Sequence, residues 1–222
     1  MEKELKNIDE FVHSLLAYDN SSFPAYYDDE LRVKTEELSE KFSANIFIET
    51  GSADGRNPPI LNELEIYDSI HTIEIQDDWF NNFVVPNNEK LDKVHCHLGD
   101  CVEVLDKILS NISISDRCAI FLDAHGFELP LINELKVISN YCKKNPPIIM
   151  IHDFFIPGDV NPNQPKFSTY LVDGNNSIVD VDYLRDGLDS IYGKDNYNIE
   201  YATKSDLPNG GTGVVYFYPK EN

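Results

Sequence analysis

Between Asn45 and Phe154 five short apolar runs recur: NIFIET, SIHTIEI, KVHCHL, CAIFLDAH and PPIIMIHDF. Each is rich in β-branched or aromatic residues. That is the pattern of parallel strands covered on both faces by helices. The segments between them, such as PILNELEIY after the first run and LPLINELKVISNYCKK after the fourth, are long enough for helical crossovers. The alternation therefore predicts an α/β fold with a doubly wound, mostly parallel sheet. Near the end the pattern changes, because YNIEYAT and GVVYFYP are strand-like and KSDLPNGGT between them is a Pro, Asn and Gly cluster. An antiparallel C-terminal hairpin should complete seven strands.

At 222 residues and 41% apolar content the chain has material for one sizeable core, so a single domain over 1–222 is expected. Residues 1–44 read as N-terminal helices, with Leu5, Ile8, Val12, Leu15 and Leu16 at helical spacing and a second helix over roughly Asp28 to Phe42. Residues 45–158 form the core, 159–190 a long Pro- and Asn-rich substrate loop and a helix, and 191–222 the hairpin. A formal charge of −21 disfavours broad nucleic-acid or anionic-membrane binding. No apolar run approaches the ~20 residues needed to span a bilayer, and a soluble cytoplasmic protein is expected. The four cysteines show no CxxC spacing and read as small core hydrophobes.

The first run leads into Glu49-Thr50-Gly51-Ser52-Ala53-Asp54-Gly55, where two glycines bracket a tight turn that lets backbone approach a ligand. A dinucleotide fingerprint wants a third glycine at the middle position, which here is Ala53, so a nicotinamide cofactor is disfavoured. The pattern is E-x-G-x-x-x-G, and Glu74 ends the second run as a carboxylate able to accept both hydroxyls of a ribose. In order, ETGSADG, TIEI, LGD, FLDAH and IMIHDFFIPG resemble the Rossmann-like class I S-adenosylmethionine-dependent methyltransferases. Within them the chain looks closest to metal-dependent O-methyltransferases of the catechol and sugar-modifying kind. The resemblance implies that Glu49, Gly51 and Gly55 face the methionine part of S-adenosylmethionine, Glu74 the ribose, and Asp100 the neighbourhood of the adenine. Ile75 and Cys101 would line the adenine pocket, and Asp123 would border the cofactor. Asn57 before Pro58 reads equally as a helix cap or a ligand group.

Asp123 closes the fourth run and His152 and Asp153 close the fifth. Adjacent strands would deliver these three to one edge, where they form a candidate divalent-cation site. The first fifth-strand position, usually carboxylate or carboxamide in the family, is His152, which makes Mn at least as suitable as Mg. His125 sits where related enzymes carry their general base and, with Asp123, is the catalytic candidate. His95 and His97 lie on one face of the third strand and read as structural. Phe154, Phe155, Phe167, Tyr170, Tyr26 and Tyr27 either build a stacking wall for an acceptor or pack the loops.

The expected activity is O-methylation of a hydroxyl on a sugar, glycan or small diol, with the cation orienting and acidifying the acceptor. Partners are then a small-molecule or glycan acceptor, with no nucleic acid and no membrane, and a homodimer left open. Three rivals stay open: a metal-independent methyltransferase, a metal-dependent hydrolase built on Asp123, His125, His152 and Asp153, and a catalytically silent binding module.

Overall fold

The computed structural model describes residues 25–27, 29–124, 129–142, 144–152, 154, 169–172, 175–202 and 213–221. The helix expected over residues 2–17 lies outside them. After a 3-10 turn at Ala25–Tyr27 comes helix α1 (Asp29–Phe42), and then the β/α alternation begins. Strands β1 (Ile46–Thr50), β2 (Ser69–Glu74), β3 (Val94–Leu98), β4 (Cys118–Leu122) and β5 (Ile148–Ile151) occupy the five apolar runs. With β8 (Tyr197–Ala202) and β9 (Val214–Pro219) they form a seven-stranded sheet ordered β3-β2-β1-β4-β5-β9-β8. The first five strands run parallel, whereas β9 pairs antiparallel with both β5 and β8. The order reverses beside β1, which places a crevice at the carboxyl ends of β1 and β4.

Side-chain alternation divides the core into two layers. Ile46, Ile48, Ile73, Ile120, Leu122, Ile149 and Ile151 face helices α5 (Cys101–Asn111), α6 (Leu131–Tyr141) and α7 (Val181–Tyr192). Phe47, Ile70, Ala119, Phe121, Ile148 and Met150 face α1 and α2 (Asn57–Glu63). Because β1 and β4 are buried along their whole length, no polar position interrupts their apolar runs except at the carboxyl ends. Between β2 and β3 the chain passes through α3 (Asp77–Trp79), a π-helical turn at Phe80–Val84 and α4 (Val85–Asn88).

One expectation needs correcting. The Pro- and Asn-rich segment within 159–190 is expected to be loop ahead of its helix, yet it contains a separate antiparallel pair, β6 (Thr169–Val172) with β7 (Asn175–Ile178). Only Asp173-Gly174 separates the two strands in sequence, and Asp-Gly is among the strongest two-residue hairpin signals. The surrounding Asn and Pro content masked that signal. The C-terminal hairpin formed where expected.

Candidate functional site

Glu49 and Glu74 both project toward the α1/α2 side of the sheet, because β1 pairs with β2 in register Glu49↔Thr72. Asp123 and His152 continue the same parity past the ends of β4 and β5. Four polar residues predicted as ligand groups thus stand along one edge. At its centre the backbone after β1 turns through Gly51 (φ 81°), Ala53 (φ 49°) and Gly55 (φ 69°), all left-handed. A Cβ on Gly51 would lie 2.4 Å from the Asp123 carbonyl oxygen, and one on Gly55 would lie 2.7 Å from Cα of Val84. Both glycines are therefore required by close approach as well as by φ. Ala53, at the place where a third glycine was missing, adopts glycine-like backbone anyway.

What holds that alanine is Glu74. The Ala53 N–H donates to its Oε2 at 2.9 Å and the Gln76 N–H to its Oε1 at 2.8 Å, with the side chain almost fully buried. Each carboxylate oxygen retains acceptor capacity beyond these bonds. Glu49 is wholly buried, its Oε1 accepting from Asn57 Nδ2 at 2.5 Å and its Oε2 from Thr72 Oγ1 at 2.7 Å. Burial pushes its carboxyl up to about 7, against the two hydrogen bonds and with help from the nearby Asp123 and Asp54 charges.

Asn57 is not the cap of α2. Arg56 stands at the cap position of α2, and the Asn57 side chain bridges Glu49 to the Tyr26 backbone N–H. Its partners come from β1 and from the chain before α1, so Asn-Pro alone could not reveal this. Asp54 and Arg56 form an ion pair beside the turn.

Asp100 caps α5, its Oδ1 accepting from the Val102 and Glu103 N–H groups at 2.9 and 3.1 Å. Cys101 follows, its thiol pushed up chiefly by burial and by buried Glu134. Ile75 lies just past β2 and is 65% exposed. On the far side of the crevice His152 Nδ1 and Asp123 Oδ1 are 2.8 Å apart, with the ring also against Phe121. His125 and Asp153 lie outside the described residues. Among the described residues no group of three or more His, Cys, Asp or Glu side chains is arranged to hold a metal ion.

Tyr26 belongs to the core rather than to an acceptor wall, since it is fully buried with its ring edge-on to Phe47 and Phe121. Phe154 is likewise buried, against Phe217. His95 and His97 meet a partner that the linear sequence hid. Parallel pairing of β2 and β3 sets His71 beside them, with His71 Nδ1 3.0 Å from His97 Nε2 and the His71–His95 ring centroids 5.0 Å apart.

No protein-family model matches this sequence, and no curated protein matches it. Solved structures match its fold along nearly the whole chain. The O-methyltransferase from Bacillus cereus in complex with SAH has a TM-score of 0.59 at 15% identity, covering 98% of this chain and 91% of that one. TomG from Streptomyces achromogenes, an O-methyltransferase involved in tomaymycin synthesis solved with SAM, gives 0.59 at 14% identity, with 98% and 90% covered. SAH-bound methyltransferase PaMTH1 of Podospora anserina gives 0.57 at 16% identity, with 98% and 88% covered. The architecture is thus the Rossmann-like fold on which these proteins are built. Among the described residues no helix is long and apolar enough to cross a membrane.

Proposed function

We propose that this chain is an S-adenosylmethionine-dependent O-methyltransferase acting on a hydroxyl of a sugar, glycan or small diol. The observation that supports it is the edge itself: a left-handed Gly51–Gly55 turn, a ribose-ready Glu74 and the Asp123–His152 pair lie along the crevice where the sheet order reverses. A Cβ on Gly51 would collide with the Asp123 backbone, so this glycine lets the turn after β1 pack against the end of β4, at the carboxyl edge where the cofactor would lie. Glu74 would accept from the ribose hydroxyls with the lone pairs its two backbone donors leave. Glu49 lies beneath the turn, close to the position assigned to the cofactor's methionine end.

In the transfer the acceptor oxygen attacks the sulfonium methyl, the C–S bond breaks to release the demethylated product, and the hydroxyl proton passes to a base. Positioning in line can supply about 7–11 kcal/mol in well-oriented reactions. Asp123, His152 and Asp153 would hold Mn or Mg, which when bound lowers the pKa of an acceptor hydroxyl. The donors fit such a cation in type, one carboxylate facing one imidazole. His125 is the base in that reading.

The same 2.8 Å contact favours a second reading, a metal-independent methyltransferase. With its proton on Nδ1 and directed at Asp123, the His152 imidazole would itself be the base that takes the acceptor proton.

Calorimetric titration of S-adenosylmethionine and S-adenosylhomocysteine into the metal-stripped protein tests the class. Binding of both is expected, weakened by about 1.5–3 kcal/mol in Glu74→Ala. Binding of neither would point to the hydrolase reading. Restoring Mn or Mg then separates the two methyltransferase readings: Asp153→Ala should lose metal and turnover while keeping cofactor, whereas full-rate methylation by stripped protein would select the His152 base.

A further inference from the structure

The connection between β2 and β3 carries a feature with no part in the chemistry above. Just after the π-helical turn, two consecutive asparagines reach back to the loop that follows β1. Exposed Asn87 donates from Nδ2 to the Asp54 carbonyl at 2.8 Å, and buried Asn88 donates from Nδ2 to the Gly55 carbonyl at 2.9 Å and to that of Val84 at 2.7 Å. The amide orientation of Asn88 is settled by chemistry, since both facing groups are carbonyls and only an NH2 can meet them. Its Oδ1 is buried without a hydrogen-bond partner. An apolar side chain would escape that desolvation cost but could not hold the carbonyls. Val84, the last residue of the π turn, supplies the backbone against which Gly55 packs without a Cβ.

We infer that Asn87 and Asn88 are positioning residues that clamp the Gly51–Gly55 turn in its left-handed, ligand-holding shape. What the turn holds rests on the methyltransferase reading; the clamp itself rests on these contacts. A π turn, common at functional sites, shifts the following residues out of α-helical register. Here that places both asparagine side chains within reach of adjacent carbonyls of the turn. The clamp ties the β2–β3 connection, which begins at the adenine-side Ile75, to the loop assigned to the other end of the cofactor.

The test uses the full chain with Asn87→Ala, Asn88→Ala, Asn87→Gln as the donor-retaining rescue, and Asn81→Ala as the control. Among the described residues Asn81 bonds only to the Asp77 carbonyl, within its own segment. Amide hydrogen exchange at 52–56 and calorimetric S-adenosylmethionine affinity are both read, with melting temperature alongside. The expected result is faster exchange at 52–56 and about fivefold weaker S-adenosylmethionine binding in the two Ala variants, as for loss of one hydrogen bond. Asn87→Ala should show this with an unchanged melting temperature, Asn87→Gln should recover most of the affinity, and Asn81→Ala should match wild type. Wild-type exchange and affinity in both Asn→Ala variants would overturn the clamp. If wild-type protein binds no S-adenosylmethionine, the methyltransferase reading fails while the exchange data still decide the clamp. Should Asn88→Ala unfold, exposed Asn87 carries the same decision alone.

Discussion

Strand β2 serves two clusters of titratable groups on opposite faces of the sheet, and they handle burial in opposite ways. Toward α1 and α2 its Thr72 and Glu74 join Glu49 in a carboxylate-rich edge where backbone and side-chain donors are aimed at every oxygen described. Toward the other face Ser69 and His71 meet His95 and His97, and the imidazoles have chiefly one another and one hydroxyl. Burial opposes charge in both, so it raises the Glu49 carboxyl to about 7 and lowers the His71 imidazole to about 4, the other two histidines adding to the latter. The donors from Asn57 and Thr72 oppose that rise at Glu49 and keep its ionised form within reach of neutral pH, as the proposed binding of a cationic cofactor requires. In the histidine cluster, burial and the neighbouring imidazoles hold His71 and His97 below the usual histidine range.

The largest expected effect breaks the carboxylate edge. Gly51→Ala places a methyl against the Asp123 backbone at positive φ, and should cost about 3 kcal/mol or more while abolishing cofactor binding, read by denaturant unfolding and calorimetry. Next, the two clusters should give pH dependences of opposite sign. Glu49 has a folded pKa raised above its unfolded value, so its contribution is fully present below about pH 4.5 and is lost as pH rises through about 7. Glu49→Gln should flatten that slope, which amounts to at most about 3 kcal/mol, in unfolding curves taken across the window. His71 is lowered from 6.5 to about 4, so its contribution is present above 6.5 and is lost as pH falls toward 4. His71→Asn should flatten the acid limb by about 2 kcal/mol and leave the neutral limb unchanged. A common slope in both variants would erase the contrast. The smallest effect is at Ala53, where Ala53→Gly relieves left-handed strain against added chain entropy and should stabilise by about 0.5 kcal/mol in the same assay.

The strands were legible because five apolar runs with helical spacers admit few architectures, and strand adjacency then brought Asp123 to His152 as expected. The Glu49–Gly51–Gly55 turn was legible because its constraints are local. Asn57, Thr72 and Tyr26 were not, since each acquires its role from a partner on another element. His71 needed the parallel register of β2 on β3, which periodicity does not specify. Nothing in Phe-Asn-Asn-Phe-Val announces a π turn, and without it Asn87 and Asn88 read as ordinary loop residues.

The position of β9 has a consequence for synthesis on the ribosome. This strand follows β8 in the chain yet lies inside the sheet, between β5 and β8. A nascent chain that has emerged as far as β8 therefore carries two open strand edges, and β5 presents an Ile-Ile-Met-Ile run on one of them. β8 cannot dock until the tail arrives to bridge it. Closure of the sheet should consequently wait for β9, with β5 exposed to chaperones or to mispairing until β9 leaves the exit tunnel.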